Sequence, residues 1–465
     1  MLVRQITDDH LAQNAYLIGC QKTGEAIVID PERDVERYIE AAAKENLRLV
    51  AVTETHVHAD FLSGTRELAH RLPDIRVLLS AEGGDDWQYR WPAADGRDVT
   101  LLHDGDTFRV GNIELRAWHT PGHTPEHMSF VITDLGGGAT APMGVASGDF
   151  VFVGDLGRPD LLETAAGVVG NREPSAQRLF ESATDFLTLP DYMQIWPGHG
   201  AGSACGKALG AIPTTTVGYE RRFSPAIAEA ARGVRPFVDF ILSGQPEPPM
   251  YFARMKQLNV AGPPVLGGVP SPAELDAAGL KAAAKTSQII DTRNDRKAFM
   301  AGHLPGSLFA PFGKMFPTVV GSLADPERPI VLIVDRANLH AAIRDLIRIG
   351  YDNITGWAPT ATLDAAGPLE SIERIDFAEF ERRRQAGSLT VLDVRGATEH
   401  EAGHVPGAKN IAHTRLRAAD PVFPSDSPVY VHCAVGMRAA VSSAYLAARG
   451  VKVVHVDDSF ANWKG

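Results

Sequence analysis

Two stretches of this chain repeat one another. Ile289-Ile290-Asp291-Thr292-Arg293 is followed by Gly302-His303-Leu304-Pro305-Gly306-Ser307, and Val391-Leu392-Asp393-Val394-Arg395 by Gly403-His404-Val405-Pro406-Gly407-Ala408. In each, a short apolar run, the pattern of a buried strand, leaves through Asp-x-Arg into a helical segment. Strands that alternate with helices run parallel, because a helical connection returns the chain in the same direction, and the helices then cover the sheet. The repeat predicts two like α/β units, at about residues 270–360 and 372–465. An ion pair of Asp393 with Arg395 is expected to steady the loop between strand and helix.

Only the second copy carries a nucleophile. The strand Pro428–His432 runs into Cys433-Ala434-Val435-Gly436-Met437-Arg438, and an alanine-rich helix follows from Ala439 to Ala448. A cysteine on a strand-to-helix loop faces backbone N–H groups and the positive end of a helix, which favour the thiolate and would equally favour a persulfide anion. In the first copy Pro329–Val334 leads to Asp335-Arg336-Ala337-Asn338. Here Asp335 is aligned near the cysteine position, in a loop about two residues shorter, and an aspartate offers no thiol. This copy is expected to be catalytically silent.

The amino-terminal half bears a different signature. Thr55-His56-Val57-His58-Ala59-Asp60-Phe61 follows the apolar run Leu49–Val52, and Pro121-Gly122-His123-Thr124, Ser147-Gly148-Asp149, Gly157-Arg158-Pro159-Asp160 and Pro197-Gly198-His199-Gly200 come after it. Imidazoles and carboxylates at the carboxyl ends of strands are donors for borderline metals such as zinc and iron, and two histidines with one carboxylate form the ferrous oxygen-activating triad. Phe61 cannot ligate a metal. Cys205 lies six residues after His199, either as a packed thiol or as a sulfur acceptor. The glycine-rich run around it is no phosphate loop, because Ala201 and Ala208 stand where glycine and Ser/Thr are required. Cys20, on an early strand, is read as structural.

On these motifs residues 1 to about 260 resemble the persulfide dioxygenases, or sulfur dioxygenases, of the metallo-β-lactamase superfamily, and the two repeats resemble rhodanese domains. The resemblance implies an αββα metallo-β-lactamase fold over 1–260, followed by two rhodanese folds with parallel sheets, a silent one over 261–360 and an active one over 372–465. It implies one Fe(II) per chain on His56, His123 and Asp149. His58, Asp60, Arg158, His199 and Cys205 become unligated neighbours or pocket residues. Asp155 is a rival for Asp149, but Gly-Arg-Pro-Asp stands at the family's distance only from Asp149. Phe61 replaces the histidine that binds a second metal in two-metal relatives, which favours one ion. The implied chemistry oxidises low-molecular-weight thiol persulfides with O₂ to sulfite. Cys433, assisted by Arg438, then converts sulfite and sulfane sulfur to thiosulfate. A two-metal thioester hydrolase of the glyoxalase II kind and a non-catalytic sulfane-sulfur carrier are the competing readings.

Composition sets the remaining bounds. The 465 residues suffice for roughly three domains. Prolines in Gly244–Pro249 and Ala261–Pro264 interrupt helix and ladder alike and mark a linker, and a second break spans Ala358–Leu369. Three cysteines make no disulfide framework, so a reducing cytoplasm is expected. No run reaches about 18 apolar residues and the start lacks a signal pattern, so no membrane span is expected. A net charge of −12 offers no general field for phosphate backbones, so nucleic acid is not an expected partner. No organic cofactor is expected, and the chain is expected to form a homo-oligomer.

Overall fold

The computed structural model describes residues 1–164 and 170–464. They divide into two units, Met1–Val269 with Ile347–Gly350, and Pro270–Leu346 with Tyr351–Gly465. The helix Phe252–Ala261, which lies between the two proline-rich stretches, belongs to the first unit.

Two six-stranded sheets build the first unit. One holds Leu2–Asp8, Gln13–Cys20, Glu25–Ile29, Arg48–Thr53, Arg76–Ser80 and Thr100–Leu102 as successive neighbours, antiparallel through the third strand and parallel from there on. The other holds Thr107–Val110, Ile113–His119, Met128–Asp134, Gly144–Gly148, Gln194–Pro197 and Thr215–Thr216, with one parallel pair, Gly144–Gly148 beside Gln194–Pro197. The two-residue period of a strand decides the layers. Tyr16, Ile18, Ile27 and Ile29 enter the core shared with Leu115, Phe130 and Trp196 of the second sheet. Their neighbours Ala15, Leu17, Ala26 and Val28 point the other way, under Tyr38 and Ala42 of the helix Glu36–Lys44 and Leu68 of Thr65–Arg71. The outer face of the second sheet packs on Leu179 and Ala183 of Arg172–Phe186 and on Phe237 of Val234–Leu242. The layers are helix, sheet, sheet, helix, the αββα order expected.

The second unit contains two five-stranded, all-parallel sheets with one topology. Numbering the strands of each in chain order, the neighbours are first, fifth, fourth, second and third. They are Ala273–Glu274, Ile354–Ala358, Ile330–Ile333, Gln288–Asp291 and Leu308–Phe309 in one sheet. In the other they are Glu373–Ile375, Val453–Val456, Val429–His432, Thr390–Asp393 and Lys409–Asn410.

Ladder register corrects one alignment made from the sequence. Asp291 pairs with Ile333 as Asp393 pairs with His432, so Val334, not Asp335, occupies the place of Cys433. The loop is not shortened either: a 3₁₀ turn at Arg336–Asn338 precedes the helix Leu339–Arg348, whereas the helix after Cys433 starts at Met437. Aligning on the first polar residue placed Val334 inside the strand, but the pairing partner sets where a strand ends. Asp335 accepts a hydrogen bond from Thr360 Oγ1 at 2.8 Å, and Arg336 pairs with Glu274 at 2.5 Å. Neither Val334→Cys nor Asp335→Cys should therefore restore sulfurtransferase turnover in a Cys433→Ser background. Thiocyanate or thiosulfate above the Cys433→Ser baseline would show that an anion cradle survives in the first copy.

His432 and His455 are fully buried in the second of these sheets. Burial pushes both down to about 4. In the unfolded chain an imidazole takes up its proton near 6.5, so below that pH the unfolded state binds protons that the folded state does not. Stability is thus present in full above 6.5 and falls towards pH 4, by about 1.4 kcal/mol per pH unit for each histidine. Urea unfolding should show an unchanged midpoint for the second unit between pH 7.5 and 6.5 and a falling one from there to pH 4.5. A flat series would mean that the fold accepts these protons.

Candidate metal centre and sulfur-transfer loop

Four loops at strand carboxyl ends meet in the first unit. Arg48–Thr53 runs into Glu54-Thr55-His56, Ile113–His119 into the His123 loop, Gly144–Gly148 into Asp149, and Gln194–Pro197 into His199. The loops bring His56, His123 and Asp149 together, all buried, with one potential ligand atom from each within 4.8 Å of the others. His56 Nε2 lies 4.0 Å and His123 Nε2 3.5 Å from Asp149 Oδ2. That oxygen is buried and accepts no hydrogen bond. A buried carboxylate oxygen without a partner is costly, and a cation facing it and the two imidazole nitrogens would remove the cost. Burial pushes both histidines below the usual imidazole range, into the neutral form that binds metals.

The surrounding shell fixes these ligands. His123 Nδ1 donates to the Arg158 carbonyl at 3.0 Å, which leaves Nε2 as the free lone pair. The Asp149 N–H donates to His127 Nε2 at 3.0 Å, and His127 Nδ1 meets Thr120 Oγ1 at 2.8 Å. His127 accepts there because burial takes it down to about 3. Only glycine fits before the aspartate: Gly148 has φ +49°, and a Cβ would stand 2.5 Å from Thr55 Oγ1 and 2.7 Å from His127 Nε2.

The other candidates divide. His58 Nε2 lies 3.1 Å from Asp30 Oδ1 and 3.2 Å from Glu54 Oε2, a pair of carboxylates that no motif announced. Asp30 also accepts from the Thr55 N–H and hydroxyl, and Glu54 from the Ser63 and Thr65 hydroxyls. Phe61, fully buried, lies against the His58 ring with centroids 4.2 Å apart. His199 bridges Asp149 and Asp60, at 2.7 Å to each. Burial alone would lower its pKa, but the Asp149 and Asp60 carboxylates outweigh burial and raise it to about 10. Asp60, His199 and Cys205 form a second buried donor group, although burial and then Asp60 push the Cys205 thiol well up. The Arg158 guanidinium is committed to Asp160 at 2.8 and 2.7 Å and to the Ala204 and Pro246 carbonyls, so its carbonyl is what serves the centre. Asp155 accepts from the N–H groups of Leu156, Lys207 and Ala208 and stands outside the His56–His123–Asp149 group. A cavity of about 560 Å³ adjoins the His123 loop at Gly122 and Pro125, and Trp87, Arg178 and Lys256 line it.

In the second unit Cys433 follows the strand Val429–His432 and is 1% exposed. The Gly436 N–H donates to its Sγ at 3.2 Å, in the turn that opens the helix Met437–Ala447. Gly436 has φ +92°, and a Cβ there would lie 2.6 Å from Asp457 Oδ1. A backbone donor and a helix amino end converging on sulfur make an anion site. Arg438 is held by Glu399 through two contacts of 2.6 and 2.7 Å, a partner the sequence did not suggest. The expected ion pair is present: Arg395 binds Asp393 at 2.6 Å and the Gly403 carbonyl at 2.7 Å, and Arg293 repeats it with Asp291 and Gly302.

Residues 8–199 match the metallo-β-lactamase superfamily and residues 376–465 the rhodanese-like domain. The chain is similar to the mitochondrial persulfide dioxygenase ETHE1 of Bos taurus, 27% identical over 231 residues, 49% of this chain and 76% of that protein. It is also similar to the hydroxyacylglutathione hydrolase-like protein of Homo sapiens, 31% identical over 187 residues, 40% of this chain and 54% of that one. Among solved structures, a metallo-β-lactamase from Staphylococcus aureus subsp. aureus COL is 42% identical with a TM-score of 0.70, covering 77% of this chain and 99% of that chain. That identity and coverage, on a four-layer αββα frame with histidines and aspartates at its strand ends, make this chain a member of the metallo-β-lactamase superfamily that also carries a rhodanese-like domain.

Proposed function

We propose that the chain is a mononuclear non-haem iron persulfide dioxygenase joined to a sulfurtransferase. It oxidises the terminal sulfur of a low-molecular-weight thiol persulfide to sulfite and combines sulfite with sulfane sulfur to give thiosulfate. The observation that carries the reading is the donor set: two imidazoles and one carboxylate converge, and Phe61, against the neighbouring His58 ring, has no lone pair for a second ion. Relatives named persulfide dioxygenases and the rhodanese-like domain support it. Fe(II) held by His56, His123 and Asp149 would supply oxygen-activating chemistry.

The protein's own groups bind and orient. Arg178 and Lys256, the latter 3.6 Å above the Trp87 ring, line the cleft beside the His123 loop together with Glu82 and Asp86, and offer a thiol carrier groups of both signs. His199, charged between two carboxylates, holds Asp149 in place. The balanced change is RSS⁻ + O₂ + H₂O → RSH + SO₃²⁻ + H⁺. In the second step the Cys433 thiolate attacks the outer sulfur of another persulfide, the donor S–S bond breaks, and the carrier leaves as a thiol. Sulfite then attacks the outer sulfur of the Cys433 persulfide. The electron pair of the breaking S–S bond returns to Cys433 and thiosulfate departs. The Gly436 N–H steadies Sγ throughout, and Arg438, close enough to Cys433 to respond to its charge, steadies the anions. Residues 270–360 serve as a rhodanese-like domain without a nucleophile.

Protein purified without oxygen should contain a single iron and no zinc, and should consume O₂ with glutathione or coenzyme A persulfide. The second donor group, Asp60, His199 and Cys205, favours one alternative, a two-metal thioester hydrolase. Two metals at full occupancy with acyl-thioester hydrolysis and no O₂ uptake would establish that alternative instead.

A further inference from the structure

The second unit holds a cavity of about 460 Å³ that none of the chemistry above uses. Both repeats line it. Ser287, Asp325 and Arg328 come from the first, and Arg417, Tyr445 and Arg449 from the second. Three guanidinium groups thus meet two carboxylates, Asp325 in the wall and Asp420 on Arg449, an excess of one positive charge. Arg417 is tied to the Ala324 carbonyl and to Asp325 at 3.3 Å, and Arg449 to Asp420 at 2.5 Å. Arg328 is exposed and makes no ion pair among the described residues. Tyr445 is 5% exposed, and its buried hydroxyl has no hydrogen-bond partner. An unspent guanidinium and a buried unpaired hydroxyl in one wall are the mark of a recess built for a ligand that is both anionic and hydrogen-bonding. Guanidinium forks match oxygens on a tetrahedral centre, and a recess of this volume is in the range of small-molecule sites.

We propose that this cavity binds a small molecule through a tetrahedral oxyanion group, with Arg328 free to take its oxygens and Arg417 and Arg449 beside it. Tyr445 supplies the neutral donor. The place is informative, because Tyr445 lies on the helix Met437–Ala447 whose first turn closes the Cys433 loop. The repeat without a nucleophile then has a task, since it builds half of the wall. Two sources share this chemistry: the sulfur oxyanions of the proposed reaction, and the phosphate group of an organic molecule.

Calorimetric titration of the full chain distinguishes them. The Cys433→Ser protein removes the sulfur acceptor, and sodium thiosulfate and sodium pyrophosphate serve as separate probes at constant ionic strength. At least one should bind saturably at one site per chain, weakened at least tenfold by Arg328→Ala and severalfold by Tyr445→Phe. Arg328→Ala leaves no buried partner behind, so its unfolding midpoint should equal that of the parent. Thiosulfate binding alone would assign the site to the reaction's own oxyanions, pyrophosphate binding alone to a phosphorylated molecule, and both to the class as a whole. Failure of both probes to saturate, or affinity unchanged in both variants, would overturn the proposal.

Discussion

Replacing Asp149 with alanine should leave the protein without iron and abolish persulfide-dependent O₂ uptake. Loss of an outer partner of a metal ligand costs about 10–100-fold in affinity or activity, and Asp149 is itself a proposed ligand, so the effect should be larger still. The substitution also frees His199 from one of its two carboxylates, while the backbone N–H that His127 accepts is kept. Asp155→Ala is the control. Its carboxylate is spent on three backbone N–H groups away from the centre, so that variant should keep its iron even if it loses some stability. Metal analysis of the two proteins side by side decides the matter. Iron retained in Asp149→Ala and lost in Asp155→Ala would move the ligand to Asp155.

Cys433→Ser should leave the rate of O₂ uptake largely unchanged and turn the product from thiosulfate into sulfite. The residues of the two proposed chemistries belong to separate units, and no motif of the candidate metal centre includes the Cys433 loop. A hydroxyl in place of the thiol cannot store sulfane sulfur, so thiosulfate formation should drop to the uncatalysed rate. Chromatographic quantification of both anions during turnover is the measurement. Enzymatic thiosulfate at the native rate would show that another group, with Cys205 the nearest alternative, carries the sulfur.

The set His56, His123 and Asp149 was legible through the resemblance of their short motifs to those of a known family, whereas strand ends alone offered His58, Asp60, Asp155 and His199 as well. The αββα layering was less so. Strands such as Gln13–Cys20 are apolar on both faces, so alternation could not say which face met the second sheet. Asp30, Glu54 and Glu399 escaped notice for another reason. Each is a single carboxylate outside any motif, brought to its histidine or arginine by the fold, as Asp30 is to His58 from 28 residues away. The misplacement of Asp335 has its own lesson. A strand end read from polarity alone can be wrong by one residue, and one residue exchanges a buried valine for an aspartate at the position that matters.

The burial of Cys433 bears on who may exchange sulfur with it. The thiol is 1% exposed while Val435, two residues on, is 62% exposed. The loop therefore shows visitors its tip and hides its cargo. On the proposed sulfurtransferase reading, a low-molecular-weight persulfide needs little room to reach this sulfur, whereas a cysteine on a folded protein would first have to displace the loop. The same burial would shield a sulfur held on Cys433 from bulky oxidants and give it a longer lifetime than on an open surface.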